Sequence, residues 1–165
     1  MKKNIYLIPA LGETCDELPY KKLSAGLEKK GYNVILVNPD WYEPITGQIF
    51  PVEKSAKIIG FSFGALIAYL TAKKYPCEKV ILASLSPIES FTYDSLVEDM
   101  LPYMKRERAE ELARDAKQIH TDLPIQAQQV RMAGALEDVG AVDVVVPGTG
   151  HELNDAYIGA ILAQV

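Results

Sequence analysis

The sequence predicts an α/β fold, a three-layer sandwich in which helices flank a mainly parallel sheet of about six strands. Short apolar runs rich in β-branched residues alternate along the chain with stretches of helical periodicity. The runs lack polar alternation, which is typical of strands buried on both faces of a parallel sheet. Such an order favours right-handed crossovers that place helices on both faces. The 165 residues, 48% of them hydrophobic, indicate one globular domain over residues 1–165.

Each element is predicted from its own local signal. Strands are predicted at residues 4–9, 33–38, 56–60, 79–84, 117–120 and 142–146. Helices are predicted at residues 18–30, 64–75, 126–138 and 154–164. The first helix stops at Gly31, which suits a left-handed cap. The second is apolar almost all round and stops before Pro76, so we expect it to be buried.

Two connections lack the pattern of a single crossover helix. Residues 39–55 contain three prolines and predict an irregular excursion with at most one helical turn, in which Trp41 and Tyr42 pack against the domain. Residues 87–116 predict one or two short helices. Their apolar side is formed by Tyr93, Val97, Leu101 and Met104. An ordinary crossover is the favoured interpretation of this segment, and a small partial lid is the alternative.

The composition excludes several classes of function. A net charge of −5 without a basic cluster argues against a nucleic-acid partner. The two cysteines and two histidines lack metal-ligand spacing, so we expect neither a metal nor another cofactor. No apolar run is long enough for a membrane span, and the run at 5–11 is too short for a secretory signal. We therefore expect a cytoplasmic protein with reduced thiols and no membrane partner, while the oligomeric state has no signal in the sequence.

Five residues at a strand-to-helix junction carry the chemistry. The predicted strand at 56–60 runs into Gly60-Phe61-Ser62-Phe63-Gly64 and then into the second helix. This GxSxG pattern holds a serine on a sharp turn at the carboxyl end of a strand, where strand and helix pass too closely for larger residues than glycine. Free N–H groups at the helix start favour an oxyanion there. Ser62 is therefore the predicted nucleophile, and the alternative is that it only caps the helix.

With this motif in place, the sequence resembles the α/β-hydrolase family over nearly its whole length, in the form of a small, nearly capless serine hydrolase or esterase. GFSFGALIAYL resembles the family's nucleophile turn and the helix after it. NIYLIPALGE resembles its first core strand and oxyanion loop, and GYNVILVNPDW resembles the next strand. VVVPGTGHEL resembles its closing strand and histidine loop.

The resemblance implies the base and the oxyanion hole. In the family the histidine follows the acid and the last strand, which implies His151 as the general base. His120 comes too early in the chain and is interpreted as structural. The oxyanion hole maps onto the backbone N–H groups of Phe63, directly after the nucleophile, and of Leu11, in the loop after the first strand.

The resemblance also implies an acid that orients the histidine. QIHTDLPI resembles the family segment in which a strand ends in a short loop with an aspartate, which implies Asp122. Capping of the following helix is the alternative for this residue. Glu89 is the second candidate, because some family members take the acid from the strand after the nucleophile helix. Asp138 and Asp143 fit less well, since one ends a predicted helix and the other lies inside a predicted strand.

These roles imply hydrolysis of a carboxylic ester or thioester through an acyl-enzyme on Ser62, with a small-molecule acyl substrate. The small cap favours short-chain or accessible acyl groups over large lipids. The first alternative is a binding or interaction protein on the same fold with a degenerate triad. A nucleotide-binding protein is disfavoured because the sequence has neither GxGxxG nor a P-loop. Cys15 is a poorer nucleophile because nothing places a base beside it.

Overall fold

The computed structural model describes residues 2–85, 88, 90–120, 127–132 and 144–165. Its strands are β1 (Asn4–Ile8), β2 (Asn33–Leu36), β3 (Lys57–Phe61), β4 (Lys79–Ala83), β5 (Ala127–Met132) and β6 (Val144–Val146). Within the described residues these strands form one sheet in the order β2-β1-β3-β4-β5-β6, and every neighbouring pair is parallel. The carboxyl ends of all six strands therefore meet at one edge, and the predicted α/β fold is confirmed.

Helices cover both faces of this sheet. They are α1 (Leu18–Lys29), α2 (Phe63–Lys74), α3 (Tyr93–Met100), α4 (Arg106–Ala116) and α5 (Asp155–Ala163), with a 3-10 turn at Ile45–Gln48. Successive residues of β1 serve two separate cores. Ile5 and Leu7 pack with α1 and α5, whereas Tyr6 and Ile8 pack with α2, α3 and α4 on the other face. None of the helices in the described ranges is both long enough and apolar enough to cross a membrane.

The first four predicted strands and three of the four predicted helices lie within two residues of the observed elements. The predicted strand at 117–120 is wrong, because the backbone N–H groups of residues 117–119 donate to carbonyls in the last turn of α4 and close that helix. The helix predicted at 126–138 is wrong where it is described, since Ala127–Met132 forms β5. Glutamine, arginine and methionine favour a helix locally, but pairing with β4 and β6 decides the conformation.

The connection at residues 39–55 is irregular, as the sequence predicts. Residues 39–55 contain the 3-10 turn as their one regular element, as predicted. Trp41 is buried at 9% exposure, but Tyr42 is 70% exposed, so its predicted packing is wrong. The Tyr42 N–H donates to the Asp40 carboxylate at 2.9 Å and closes a turn over residues 40–42. At this turn the Trp41 ring is buried, whereas the neighbouring Tyr42 ring is exposed.

The segment between β4 and β5 carries α3 and α4, the two short helices that the sequence predicts. Val97 and Met100 are buried in the core that α2 shares, whereas Tyr93 is exposed. Beyond α3, the Tyr103 ring lies so close to Gly12 that a methyl group on that glycine would overlap it. The segment therefore packs on the sheet as a crossover and also touches the loop that follows β1.

Candidate active site

Ser62 lies on a sharp turn between β3 and α2, as the GxSxG pattern predicts. Its backbone has φ 55° and ψ −119°, a strained left-handed conformation for a non-glycine residue. Its N–H donates to the carbonyl of Ala83 at the end of β4, 2.9 Å away. A Cβ on Gly60 would lie 2.6 Å from Cα of Ala65, and one on Gly64 would lie 2.6 Å from the carbonyl oxygen of Ile8. The two glycines therefore let β1, β3 and α2 approach closely enough to form the turn.

The loop after β6 brings His151 to the nucleophile. Nε2 of His151 lies 2.8 Å from Oγ of Ser62. The loop is tied to its strand by the Thr149 hydroxyl, which donates to the Val146 carbonyl at 3.1 Å. The imidazole packs against the Phe61 ring, with 5.5 Å between ring centroids. Residues 89 positions apart in sequence thus meet at the carboxyl edge of the sheet with the geometry of a nucleophile and its base.

The other imidazole nitrogen meets a residue that sequence reasoning missed. Nδ1 of His151 lies 3.1 Å from Oγ of Ser84, and that oxygen lies 3.1 Å from the phenolic oxygen of Tyr157. Ser84 directly follows β4, just as Ser62 directly follows β3, and it also has a positive φ of 51°. The available signal was a serine at the carboxyl end of a predicted strand, at the edge where the nucleophile emerges.

The surroundings of His151 lower the pKa of its imidazole. Part of the side chain stays exposed, but the contacts with Phe61 and Ser62 remove enough water for burial to hold the pKa below the ordinary value of 6.5. The negative charge of Asp99, on α3, opposes this shift as the smaller effect. The lowered pKa favours the neutral imidazole at neutral pH, which is the state a general base needs.

The backbone N–H groups predicted to form an oxyanion hole belong to the residue directly after Ser62 and to the loop after β1. Phe63 stands at the first position of α2, where an N–H has no partner within the helix. Leu11 lies in the loop after β1, the strand next to β3. Within the described ranges, neither N–H donates a hydrogen bond. The two groups predicted from the sequence thus remain available for a ligand oxygen.

Two side chains, the buried Tyr20 and the partly buried Glu13, fix the loop that carries Leu11. The hydroxyl of Tyr20 accepts the N–H of Ala10 at 2.9 Å and donates to the carboxylate of Glu13 in a short hydrogen bond. The Glu13 N–H returns to the Ala10 carbonyl at 3.1 Å. Burial raises the pKa of Glu13 and also that of Tyr20. The Ala10 N–H is therefore used within the loop, whereas the Leu11 N–H donates no hydrogen bond in the described part of the chain.

The predicted acid, Asp122, lies outside the described residues, and so do Glu89, Asp138 and Asp143. The strand from which Asp122 was inferred is not formed, since residues 117–119 close α4. The strand of this region is β5, which comes after Asp122 in the chain. Asp122 therefore stays a prediction, without the preceding strand that suggested it.

No protein-family model matches the sequence, and no curated protein sequence matches it. Solved structures do match the fold. Est1E from Butyrivibrio proteoclasticus is 11% identical, with a TM-score of 0.65 over 99% of this chain and 85% of its own. Alpha/beta hydrolase domain-containing protein 10 from mouse is 12% identical, with a TM-score of 0.60 over 98% and 87%. A lipase-esterase related protein from Clostridium acetobutylicum is 18% identical, with a TM-score of 0.56 over 99% and 93%. At such identities the likeness concerns the fold alone.

Proposed function

Because the chain has the α/β-hydrolase fold, as its sequence resemblance predicts, we propose that it is a serine hydrolase that cleaves a carboxylic ester or thioester. The observation that carries this proposal is the 2.8 Å contact between Oγ of Ser62 and Nε2 of His151. The N–H groups of Phe63, directly after this serine, and of Leu11, in the loop after the neighbouring strand β1, donate no hydrogen bond within the described ranges, which supports it. Solved structures with this fold include proteins described as esterases and a thioesterase domain, which agrees with the proposed reaction class.

The proposed reaction forms and then hydrolyses an acyl-enzyme on Ser62. As Oγ attacks the acyl carbonyl carbon, His151 Nε2 takes the hydroxyl proton, and the N–H groups of Leu11 and Phe63 stabilise the oxyanion. The intermediate collapses, and His151 returns the proton to the departing alcohol or thiol. A water molecule, deprotonated by His151, then attacks the acyl-enzyme and releases the acid.

A fluorophosphonate probe tests whether Ser62 is activated. We expect the folded native chain to be labelled by attack of Ser62 Oγ on phosphorus with loss of fluoride, and Ser62→Ala to take up no label. The proposal that Asp122 orients the base predicts that Asp122→Asn is labelled at least 10-fold more slowly. A loss in Asp138→Asn instead would assign the acid to the segment that follows β5. Absence of label on the native chain would exclude the hydrolase.

The pH dependence of labelling is a second expected result. Labelling requires neutral His151, and burial lowers the pKa of this group, so the rate is expected to rise with a midpoint below pH 6.5. Asp99→Asn removes the charge that opposes the shift, so the midpoint is expected to move to still lower pH. Labelling rates, measured on samples quenched at fixed times across pH 4–8, give both midpoints. A native midpoint above 6.5 would contradict the lowering of the His151 pKa by burial, and an upward move in the variant would contradict this assignment of the base.

A catalytically degenerate binding protein is the second candidate function. It is favoured by one observation, that His151 Nδ1 meets the neutral hydroxyl of Ser84 in the described part of the chain rather than a carboxylate. If this candidate is correct, the folded native chain will neither react with the probe nor hydrolyse acyl substrates. The labelling experiment therefore separates the two candidates directly.

A further inference from the structure

The hydroxyl groups of Ser84 and Tyr157 form a chain of hydrogen bonds that begins at Nδ1 of His151. Oγ of Ser84 lies 3.1 Å from Nδ1 and 3.1 Å from the Tyr157 hydroxyl, so it bridges the imidazole and the phenol. The Ser84 side chain is buried, at 4% exposure, and Tyr157 is completely buried. In the described residues this buried serine is the partner of Nδ1.

We infer that Ser84 is a positioning residue that keeps the proton of neutral His151 on Nδ1. This inference rests on the proposed function, in which Nε2 must be unprotonated to accept the proton of Ser62. The Ser84 hydroxyl can accept a hydrogen bond from Nδ1–H and donate one to the Tyr157 oxygen. The donors in this chain of hydrogen bonds then all point the same way, from His151 towards Tyr157. The opposite tautomer would place a proton between Nε2 and Ser62 and block the base.

The backbone holds Ser84 where this role requires it. Its N–H donates to the Val130 carbonyl at 2.8 Å, which ties the residue after β4 to the neighbouring strand β5. Its φ of 51° is a conformation that a non-glycine residue rarely adopts without a reason in the surrounding structure. Tyr157 is held in turn, because its ring packs edge-on against Phe61 with centroids 5.6 Å apart. The bridging hydroxyl therefore has little freedom to turn away from His151.

This role differs from that of an acid. A carboxylate beside Nδ1 would stabilise the imidazolium by charge and raise the pKa of His151. A hydroxyl fixes the tautomer and the ring orientation without adding charge. Among the described residues, the charged group that affects the pKa of the imidazole is Asp99 on α3. Asp99 is not part of the hydrogen-bond chain formed by Ser84 and Tyr157.

The experiment compares Ser84→Ala with Ser84→Gly in full-length protein. Both variants remove the hydroxyl, but only glycine relaxes the left-handed backbone at this position. The labelling rate is expected to fall roughly 10-fold in both, the size of one lost neutral hydrogen bond. Nitrogen NMR of ¹⁵N-histidine reads the tautomer directly. Each variant is prepared with His120→Gln, which leaves His151 as the single histidine.

The tautomer separates positioning from a merely structural role. The native chain is expected to show the Nδ1–H form of His151, and both Ser84 variants a mixture with the Nε2–H form. Recovery of the native rate and spectrum in Ser84→Gly would show that backbone strain matters and the hydroxyl does not, which would overturn the inference. An unchanged rate and tautomer in both variants would overturn it as well. Failure of the proposed function would appear differently, as no labelling of the native chain, while the spectra would still decide whether Ser84 holds His151.

Discussion

Replacing His151 by alanine is expected to lower the fluorophosphonate labelling rate by a factor on the order of 10⁴ or more. The variant keeps Ser62 and the N–H groups of Leu11 and Phe63 but lacks the imidazole that lies 2.8 Å from Oγ, so the un-ionised hydroxyl must attack without that base. The side chain is partly exposed and follows the last strand, so its removal leaves both cores intact. Rates measured at equal folded fraction, checked by circular dichroism, isolate the chemical effect.

His120→Ala is the matched control, since the chain has two histidines. His120 follows α4 with an exposed side chain, and its backbone carbonyl, which the substitution retains, accepts the Tyr69 hydroxyl at 3.3 Å. Its replacement is therefore expected to leave labelling unchanged. Equal losses in the two variants, or a His151→Ala chain labelled at the native rate, would remove His151 from the proposed base position.

The parts of the fold that the sequence predicted correctly have strong local signals. Strands β1 to β4 are continuous apolar runs, and the turn at Ser62 needs small residues on both sides that the chain supplies within five positions. Strand β5 has no such signal. Its sequence, AQQVRM, suits a helix as well as a strand, and it becomes a strand because β4 and β6 offer backbone partners on both sides.

The site shows the same division between local and distant information. Ser62, Phe63 and their turn are contiguous in sequence, so the pattern alone located them. The partner of His151 Nδ1 is 67 positions away at Ser84, and no periodicity links the two residues. The prediction of Asp122 depended on a strand at 117–120, so the error in the strand carried over into the argument for the acid. Contacts between chain-distant residues are what a single sequence specifies least.

Gly64→Ala is expected to destabilise the fold by about 3 kcal/mol or more, a large part of the roughly 5–15 kcal/mol that a domain of this size has. The added Cβ would lie 2.6 Å from the Ile8 carbonyl oxygen and closer still to that of Pro9. Both obstacles are backbone atoms at the end of β1, so no side-chain rotation relieves the overlap, and α2 must move away from the sheet. Urea unfolding followed by circular dichroism measures the loss.

Gly159→Ala provides the control for this glycine-to-alanine change. Gly159 lies in α5 with nothing within 4 Å of a built Cβ, so alanine is expected to stabilise the helix by about 0.5–1 kcal/mol. The displacement in Gly64→Ala would also separate the N–H of Phe63, on α2, from that of Leu11, beyond β1, so any folded fraction is expected to label slowly. A Gly64→Ala chain within about 1 kcal/mol of native stability, labelled at the native rate, would mean that β1 and α2 need not approach closely to form the site.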